Sequence, residues 1–215
     1  MAEMERLTRE GSLPVQARIM DQDLVRRNQT LLMRAAVKLF RHNGFHSTTA
    51  ADIAAVAGIS VGSMYRYVTR KDDLLRLLFT YMFGMYEGVL EPIVASDLPP
   101  EVKLREAFDR YIRIIDRESD VMIVVYREGY ALDQEGRSYI MRRELETNQH
   151  FEEIVRQGIS AGVFRAVDPG LTAYNLVFAA HMWALKRWHF RKIVSLDQYI
   201  VAQVDLVLEG LRAKR

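Results

Sequence analysis

The sequence predicts an all-α fold, with a three-helix helix-turn-helix domain near the N-terminus and a larger helical domain after it. Two observations support this prediction. Apolar residues recur at steps of three and four along most of the chain, which is the spacing of one helix face. The stretch Thr48 to Lys71, TTAADIAAVAGISVGSMYRYVTRK, also has the pattern of two short helices that cross near a right angle.

Composition narrows the possible functions. With 215 residues, 49% of them hydrophobic, the chain can bury the cores of one small and one medium domain. It has no cysteine, which excludes disulfides and thiolate metal sites. No apolar run approaches the roughly twenty residues that cross a membrane. The charged N-terminus lacks a signal-peptide core, so we expect a soluble, cytoplasmic protein without membrane association.

The first elements are a tail and a helix. Residues 1–20 are predicted to form a flexible tail, because Gly11 and Pro14 interrupt any helix there. Residues 23–43 are predicted as the first helix, with Asn43-Gly44 as the stop. Its apolar residues form two adjacent rows, Leu31, Ala35 and Leu39 in one and Leu32, Ala36 and Phe40 in the other.

Glycine and serine mark the turn of the helix-turn-helix. Gly58 supplies the positive φ that ends its first helix. Ser60 is the expected N-cap of the second helix, predicted over residues 61–68. Ala54 lies where the two helices come closest, so only a small side chain fits there. The second helix is too short to be stable alone and depends on this packing.

The second helix and its flanks favour DNA binding. Small and hydroxyl-bearing residues at its start let the backbone approach a duplex, and Arg66 follows them. The net charge is only +2, but arginine and lysine crowd the first third of the chain. A helical hairpin that only packs is the alternative. The turn glycine, the cap, the small crossing residue and the basic flanks agree on the DNA-binding interpretation.

These residues also carry a family resemblance. Residues 40–75, FRHNGFHSTTAADIAAVAGISVGSMYRYVTRKDDLL, closely resemble the DNA-binding domain of TetR-family repressors. One departure is Arg70, where the family usually has a small cap residue, and Thr69 with Asp72 would form the capping box instead. The resemblance implies a TetR-like chain of about nine helices. It also implies a homodimer that binds a palindromic operator and leaves it when a small molecule binds the C-terminal domain.

The expected DNA contacts follow from the helix-turn-helix and from the resemblance. The base-edge residues are Val61, Gly62, Ser63 and Arg66; the phosphate residues are Thr49, Tyr65, Tyr67 and Lys71; Thr48 and Ser60 complete the set. The resemblance also places phosphate contacts at Arg26 and Arg27, for which a solvated charged face is an equal alternative. The arginines of the tail, including Arg18, could contact DNA as well, although a disordered leader is the expectation.

Apolar rows and breaks predict the remaining helices. Residues 72–96 are predicted as one long helix, and residues 101–117 as the next, after the break at Pro99-Pro100. The run VMIVVYREGYAL has a β-branched bias, but a lone strand would have no partner, so a helix is predicted. Helices at 133–162, 169–190 and 195–211 follow. The resulting domains are the tail (1–20), the helix-turn-helix DNA-binding domain (21–71) and the ligand-binding and dimerisation domain (72–215).

The last two helices are apolar on two sides, which fits helices shared with a second copy in a four-helix interface. The predicted dimer contacts are Leu171, Tyr174, Phe178, Met182, Leu185, Ile200, Val204, Val207, Leu208 and Leu211. Val201 and Leu206 lie on the second apolar side of the last helix.

The effector is expected to be apolar, and an acyl-CoA thioester is the narrower hypothesis. The predicted cavity wall is Tyr81, Met82, Met85, Tyr86, Tyr111, Met122, Tyr126, Phe151 and Phe178, with Arg127, Arg137, Arg142 and Arg143 placed for CoA phosphates. The runs VVYREGYAL and HMWALKRW resemble TetR regulators of lipid and aromatic-acid breakdown. Three alternatives stay open. The aromatic residues could be ordinary core and the arginines a solvated face, the effector could be a drug or another lipophilic molecule, or the protein could bind DNA without any effector.

No catalytic signature is present. The chain has no glycine-rich phosphate loop, no HExxH and no GxSxG, and no two of its five histidines are spaced as helical metal ligands (i, i+3 or i+4) within one segment. We therefore expect no enzyme activity, no cofactor and no metal. A small helical enzyme or acyl carrier with a helix-turn-helix is the alternative. His181, on an apolar helix, is expected to be a hydrogen-bonded core histidine.

Overall fold

The computed structural model describes residues 15–19 and 21–212, and the remainder of the predicted tail lies outside the described residues. The described residues form eleven α-helices, which confirms the all-α prediction. These are α1 (Gln22–Asn43), α2 (Ala50–Ala57), α3 (Val61–Met64), α4 (Asp72–Gly84), α5 (Glu91–Ala95), α6 (Pro100–Arg117), α7 (Ser119–Glu128), α8 (Gln134–Ser160), α9 (Pro169–Leu185), α10 (Arg187–Phe190) and α11 (Leu196–Leu211). No helix in this part of the chain is long and apolar enough to span a membrane.

Two predicted helices are interrupted, which accounts for eleven helices where about nine were expected. The helix predicted over residues 72–96 ends at Gly84 and restarts at Glu91. Gly88 lies between the two pieces with φ of 69°, a left-handed conformation that suits glycine. The helix predicted over residues 169–190 is broken at Lys186, where φ is −113° and ψ is 18°.

The chain divides into two compact units. The first contains α1 to α4 together with residues 120–141, which are most of α7 and the first two turns of α8. The second contains α5, α6, the rest of α8 and α9 to α11. The packing units therefore differ from the proposed functional division at residue 71, because α4 and residues 120–141 pack with the helix-turn-helix.

In the first unit, α1 packs against α2 and α4. Leu32, Ile53, Met64 and Leu74 are fully buried. Of the two rows predicted for α1, the one with Leu32 faces this core, whereas Leu31 of the other row is exposed. Residues 120–141 are tied to the corner between α1 and α2 by polar contacts. Arg127 donates to the carbonyl oxygens of Phe40 and Arg41 at the end of α1, where helix carbonyls lack partners within the helix.

In the second unit, α6 packs against α9 and α11. Trp183 of α9 is buried and its Nε1 donates to Asp116 of α6 over 2.8 Å. The end of α8 needs Gly158, because a side-chain carbon there would lie 2.0 Å from the ring of Phe164. Asp168 caps α9 and Pro169 opens it, as predicted.

Candidate DNA-binding and effector sites

Side-chain caps hold the helix-turn-helix at its predicted turns. Thr49 and Asp52 form a capping box at the start of α2. Gly58 ends that helix with φ of 73°, and the Ser60 hydroxyl oxygen accepts a hydrogen bond from the Ser63 N–H over 3.1 Å. The predicted turn glycine and N-cap are therefore confirmed.

An exposed row of side chains runs along α3, the second helix of the motif, and into the turn that follows it. Val61, Gly62, Tyr65 and Arg66 are exposed, as are Thr49 and Ser60. Exposed apolar and aromatic side chains beside an arginine are suited to base edges and sugar–phosphate surfaces. The predicted length of this helix was wrong, because α-helical geometry ends at Met64 and turns follow to Tyr67.

Three residues proposed for DNA contact are engaged inside the protein. Thr48 is buried and its hydroxyl donates to the Gly44 carbonyl oxygen over 2.7 Å, and Tyr67 is also buried. The Lys71 ammonium donates to the carbonyl oxygens of Phe45 and Thr48 at 2.8 and 2.9 Å. It also lies 4.3 Å from the centre of the Phe45 ring. These contacts give Lys71 a structural role in holding the loop between α1 and α2.

The start of α4 differs from the predicted capping box. The carboxylate of Asp73, and not that of Asp72, accepts hydrogen bonds from the N–H groups of Thr69 and Arg70, at 2.8 and 3.0 Å. Arg70 also forms an ion pair with Asp73. The departure of Arg70 from the family pattern is thus accommodated by a carboxylate one residue further along the chain.

The two arginines at the start of α1 have different surroundings. Arg26 forms an ion pair with Asp23, three residues earlier on the same helix. Arg27 is exposed, and within residues 15–19 and 21–212 no carboxylate pairs with it. Of these two, Arg27 is the one whose charge is available to a phosphate.

The predicted cavity wall is distributed between the two units. Tyr81, Met82, Met85, Met122 and Tyr126 belong to the first unit, and Tyr86, Tyr111, Phe151 and Phe178 to the second. All are buried except Tyr126 and Phe178, which are exposed. Tyr81 is engaged inside the first unit, because its hydroxyl accepts a hydrogen bond from Arg34 over 3.0 Å.

The second unit brings its share of the predicted wall into one aromatic cluster. Ring centres lie 4.8 Å apart for Tyr86 and Tyr111, and 5.6 Å apart for Tyr111 and Phe151. His181 joins Phe178 to the cluster, with its ring centre 6.0 Å from that of Phe178. The Tyr111 hydroxyl and His181 Nε2 are 2.7 Å apart, and burial lowers the pKa of His181 to about 4. The predicted hydrogen-bonded core histidine is confirmed.

Two polar residues of α8 were not singled out from the sequence. Asn148 is buried, and its Oδ1 has no hydrogen-bond donor among the described residues. Burial raises the pKa of Glu144, whose charge in turn helps to raise the pKa of Tyr174. Residues 144, 148 and 151 have the spacing of one helix face. This spacing is the one signal in the sequence that links Glu144 and Asn148 to Phe151.

The four arginines proposed for CoA phosphates are divided between the units, with Arg127 and Arg137 in the first and Arg142 and Arg143 in the second. Arg127 binds the end of α1, and Arg137 donates to the Leu132 carbonyl oxygen. Arg143 pairs with Glu87 and Glu146, at 2.5 and 2.8 Å. Arg142 is exposed on α8. Arg127, Arg137 and Arg143 thus each have polar partners within their own unit.

The predicted dimer contacts differ in exposure. Along α9, the row Leu171, Phe178 and Met182 is exposed, with Tyr174 and Leu185 half-buried beside it. Along α11, the assignment of faces is corrected. Ile200, Val204, Leu208 and Leu211 are buried in the second unit's own core, Val207 is half-buried, and the exposed side carries Val201 and Leu206.

The sequence matches known families over both parts of the chain. Residues 32–78 match the family described as bacterial regulatory proteins, tetR family, and residues 97–211 match the tetracyclin repressor-like C-terminal domain. The chain is 31% identical to the HTH-type transcriptional regulator HbdR of Aromatoleum sp. (strain CIB), over 91% of this chain and 85% of that protein.

Solved structures show the same fold. The ketosteroid transcriptional regulator KstR2 of Mycobacterium tuberculosis is 25% identical, with a TM-score of 0.69, over 92% of this chain and 99% of that one. AibR, solved in complex with isovaleryl coenzyme A and operator DNA, is 22% identical, with a TM-score of 0.71, over 83% of this chain and 97% of that one. The chain therefore belongs to the TetR family of bacterial transcriptional regulators.

Proposed function

We propose that the protein is a ligand-responsive repressor that binds a palindromic operator as a homodimer and is released by a small apolar effector. The exposed row Val61, Gly62, Tyr65 and Arg66 carries the DNA-binding part of this proposal. The caps at Thr49 and Ser60 fix the two helices of the motif, so this row is pre-organised for a major groove. The proposed action is binding alone, in the cytoplasm, with no catalytic step.

Dimerisation is proposed through the exposed apolar rows of α9 and α11. Leu171, Phe178 and Met182 on α9, with Val201 and Leu206 on α11, leave apolar surface in solvent along two helices. Two copies that pair these helices around a two-fold axis would bury that surface. Each protomer would then read one half-site, and the operator would share the protein's symmetry.

An acyl-CoA thioester is the proposed effector class. The AibR complex shows that this fold can hold isovaleryl coenzyme A together with operator DNA. The aromatic cluster of the second unit, built from Tyr86, Tyr111 and Phe151, offers apolar surface for an acyl chain. Inside that cluster, the hydrogen-bonded Tyr111–His181 pair is the polar group that a thioester carbonyl would meet.

One observation favours the alternative of a drug or another lipophilic effector. The carboxyl of Glu144, which is half-buried and lies near Tyr174, is the kind of group that a cationic ligand would bind. Burial raises its pKa, so a cationic group placed beside this carboxyl would stabilise its charged form. A comparison of cationic and anionic ligands separates these two candidates.

Residues 120–141 are the proposed carrier of the response. The chain passes between the units at three points, near residues 85, 119 and 141. Two of these points flank residues 120–141, which bind the helix-turn-helix corner through Arg127 and Glu128. An effector that changes α6 or the later part of α8 would therefore act on this segment through the backbone.

Selection of operator sequences from random duplexes tests the DNA-binding proposal. We expect the wild-type protein to enrich a palindrome with half-sites roughly 10 base pairs apart, or a multiple of that spacing. Arg66→Ala should relax the preference at one position of each half-site, while Lys192→Ala, which removes an exposed charge far along the sequence, should not. Enrichment of no motif, or of an asymmetric motif by the wild-type protein, would contradict the proposal.

A further inference from the structure

The segment that precedes α1 is attached to the helix-turn-helix. The N–H of Arg18 donates to the carbonyl oxygen of Arg66 over 2.8 Å, and the hydroxyl of Thr69 donates to the carbonyl oxygen of Gln16 over 3.5 Å. Because α3 ends at Met64, the carbonyl of Arg66 has no following helical turn to pair with. The Arg18 N–H supplies the missing donor at Arg66, which is the last residue of the exposed row.

Exposure alternates along this segment. Val15, Ala17 and Ile19 are half-buried, whereas Gln16 and Arg18 are exposed. A period of two is the signature of an extended chain with one side against the protein. The alternation places Arg18 on the exposed side of the segment. The backbone hydrogen bond from Arg18 to Arg66 places these two residues next to each other.

Charge pairing distinguishes Arg18 and Arg66 from several other arginines of the first unit. Arg26, Arg41, Arg70 and Arg76 each form an ion pair with an aspartate. Within the part of the chain that the structure describes, no carboxylate forms an ion pair with Arg18 or Arg66. Unneutralised guanidinium groups on an exposed surface attract a polyanion and bind phosphate oxygens well.

We propose that Arg18, on an extended segment hydrogen-bonded to the recognition motif, is an additional DNA-contacting residue that binds an operator phosphate beside the site of Arg66. The proposal rests on the DNA-binding function proposed for the exposed row of α3. It extends the interface beyond the helix-turn-helix, to a segment outside the residues 32–78 that match the family's DNA-binding domain. Phosphate contact would add affinity and register without adding sequence preference.

The salt dependence of operator binding tests this proposal. Operator affinity is measured by fluorescence anisotropy for the wild-type protein and for Arg18→Ala, from about 50 to 200 mM salt. Each lost phosphate contact lowers the slope of log K against log salt by about 0.9, so a dimer that loses two should show a decrease of about 1.8. The variant should bind operator and unrelated duplex more weakly by the same factor. Arg18→Lys should restore most of the slope.

Two variants serve as controls. Gln16→Ala changes the other exposed residue of the same segment without changing charge, and Lys192→Ala removes one positive charge from an exposed position in the second unit. Both should retain the wild-type slope. The backbone hydrogen bond of residue 18 survives in Arg18→Ala, so its melting temperature should also stay at the wild-type value.

The outcomes separate this inference from the function on which it rests. A wild-type slope for Arg18→Ala, with weakened binding for Arg66→Ala, would overturn the inference and leave the proposed DNA-binding face intact. A loss confined to one operator sequence, without a change of slope, would also overturn it, since that result indicates a base contact. Unchanged binding in both arginine variants would instead remove the proposed DNA-binding face itself.

Discussion

Individual polar residues show how burial decides what a side chain can do. His181 is buried between Tyr111 and Phe178, and its pKa is lowered to about 4 because burial penalises the imidazolium. It is therefore neutral near pH 7, where it shares a hydrogen bond with Tyr111. Lys71 is directed inward for a different reason, because two loop carbonyls accept its protons.

The low pKa of His181 predicts a pH dependence of stability. Below about pH 6.5 the unfolded chain binds a proton at this residue and the folded chain does not, until the pH approaches 4. Folding should therefore lose roughly 3 kcal/mol from this residue as the pH falls from about 7 to 4. Urea unfolding across this range should show a flatter profile for His181→Gln than for the wild type. Parallel profiles would contradict the burial argument.

Lys71 and Arg66 should respond differently to truncation. Lys71→Ala leaves the carbonyls of Phe45 and Thr48 without a charged donor, so it should destabilise the protein by about 1–3 kcal/mol. Arg66→Ala should leave the unfolding free energy unchanged, because Arg66 is exposed, and should alter operator preference instead. Chemical denaturation of both variants measures the difference. A stable Lys71→Ala protein with weakened DNA binding would restore the phosphate role that the sequence suggested.

At the scale of secondary-structure elements, the segment from α7 into α8 is bound to the DNA-binding motif. Glu128 accepts a hydrogen bond from the Phe45 N–H over 3.2 Å, and Arg127 donates to Glu128 as well as to the end of α1. Further along, the Arg76 side chain, which is only 5% exposed, pairs with Asp133 and Glu135 at 2.6 and 3.0 Å. Contacts at both ends of the segment thus connect it to α1 and α4.

Removal of the Arg127 contacts should loosen one corner of the first unit. In Arg127→Ala, amide hydrogen exchange at residues 40–45 should become faster, because the Phe40 and Arg41 carbonyls each lose a side-chain donor and the Phe40 carbonyl keeps only the Gly44 N–H. Exchange in α9 and α11 should stay at the wild-type rate. Arg110→Ala, which breaks an exposed ion pair with Glu106, is the control and should change stability by less than about 1 kcal/mol. Equal exchange at residues 40–45 in all three proteins would exclude a structural role for these contacts.

The exposed row of α9 predicts a specific effect on assembly. Phe178 is 48% exposed in the single chain, so Phe178→Glu should give folded monomers if two copies pair through this row. Val204 is 1% exposed, and Val204→Glu should unfold the second unit, because a carboxylate would be buried without a partner. Sedimentation velocity and circular dichroism distinguish these results. A Phe178→Glu protein that still sediments as a dimer would move the interface elsewhere.

Local signals explain which elements the sequence could predict. Gly58, Ser60 and Asp168 act through their own backbone and the next turn, so their roles were confirmed in detail. The break after Gly84 was missed, because glycine is tolerated inside helices and tertiary packing decides where the chain bends. The buried face of α11 was chosen wrongly for the same reason. Two apolar rows on one helix are equivalent until a packing partner is known.

At the scale of the whole molecule, the chain joins a DNA-binding unit to a second helical unit through three crossings of the backbone. Residues 120–141 lie in the first unit although helices of the second unit precede and follow them. The backbone therefore links the second unit to the first at both ends of one segment. This connectivity was not predictable from the sequence, which suggested a single boundary at residue 71.

Titration of the operator complex shows whether an acyl-CoA controls operator binding. The complex is titrated with acyl-CoA thioesters, the matching free acids and a cationic lipophilic drug, while anisotropy reports bound DNA. We expect release by at least one thioester, with no release by its free acid or by the drug. Two results would contradict this expectation. One is complete retention of DNA with every thioester, at about 100 times the concentrations at which regulators typically bind their ligands. The other is release by the cationic drug alone.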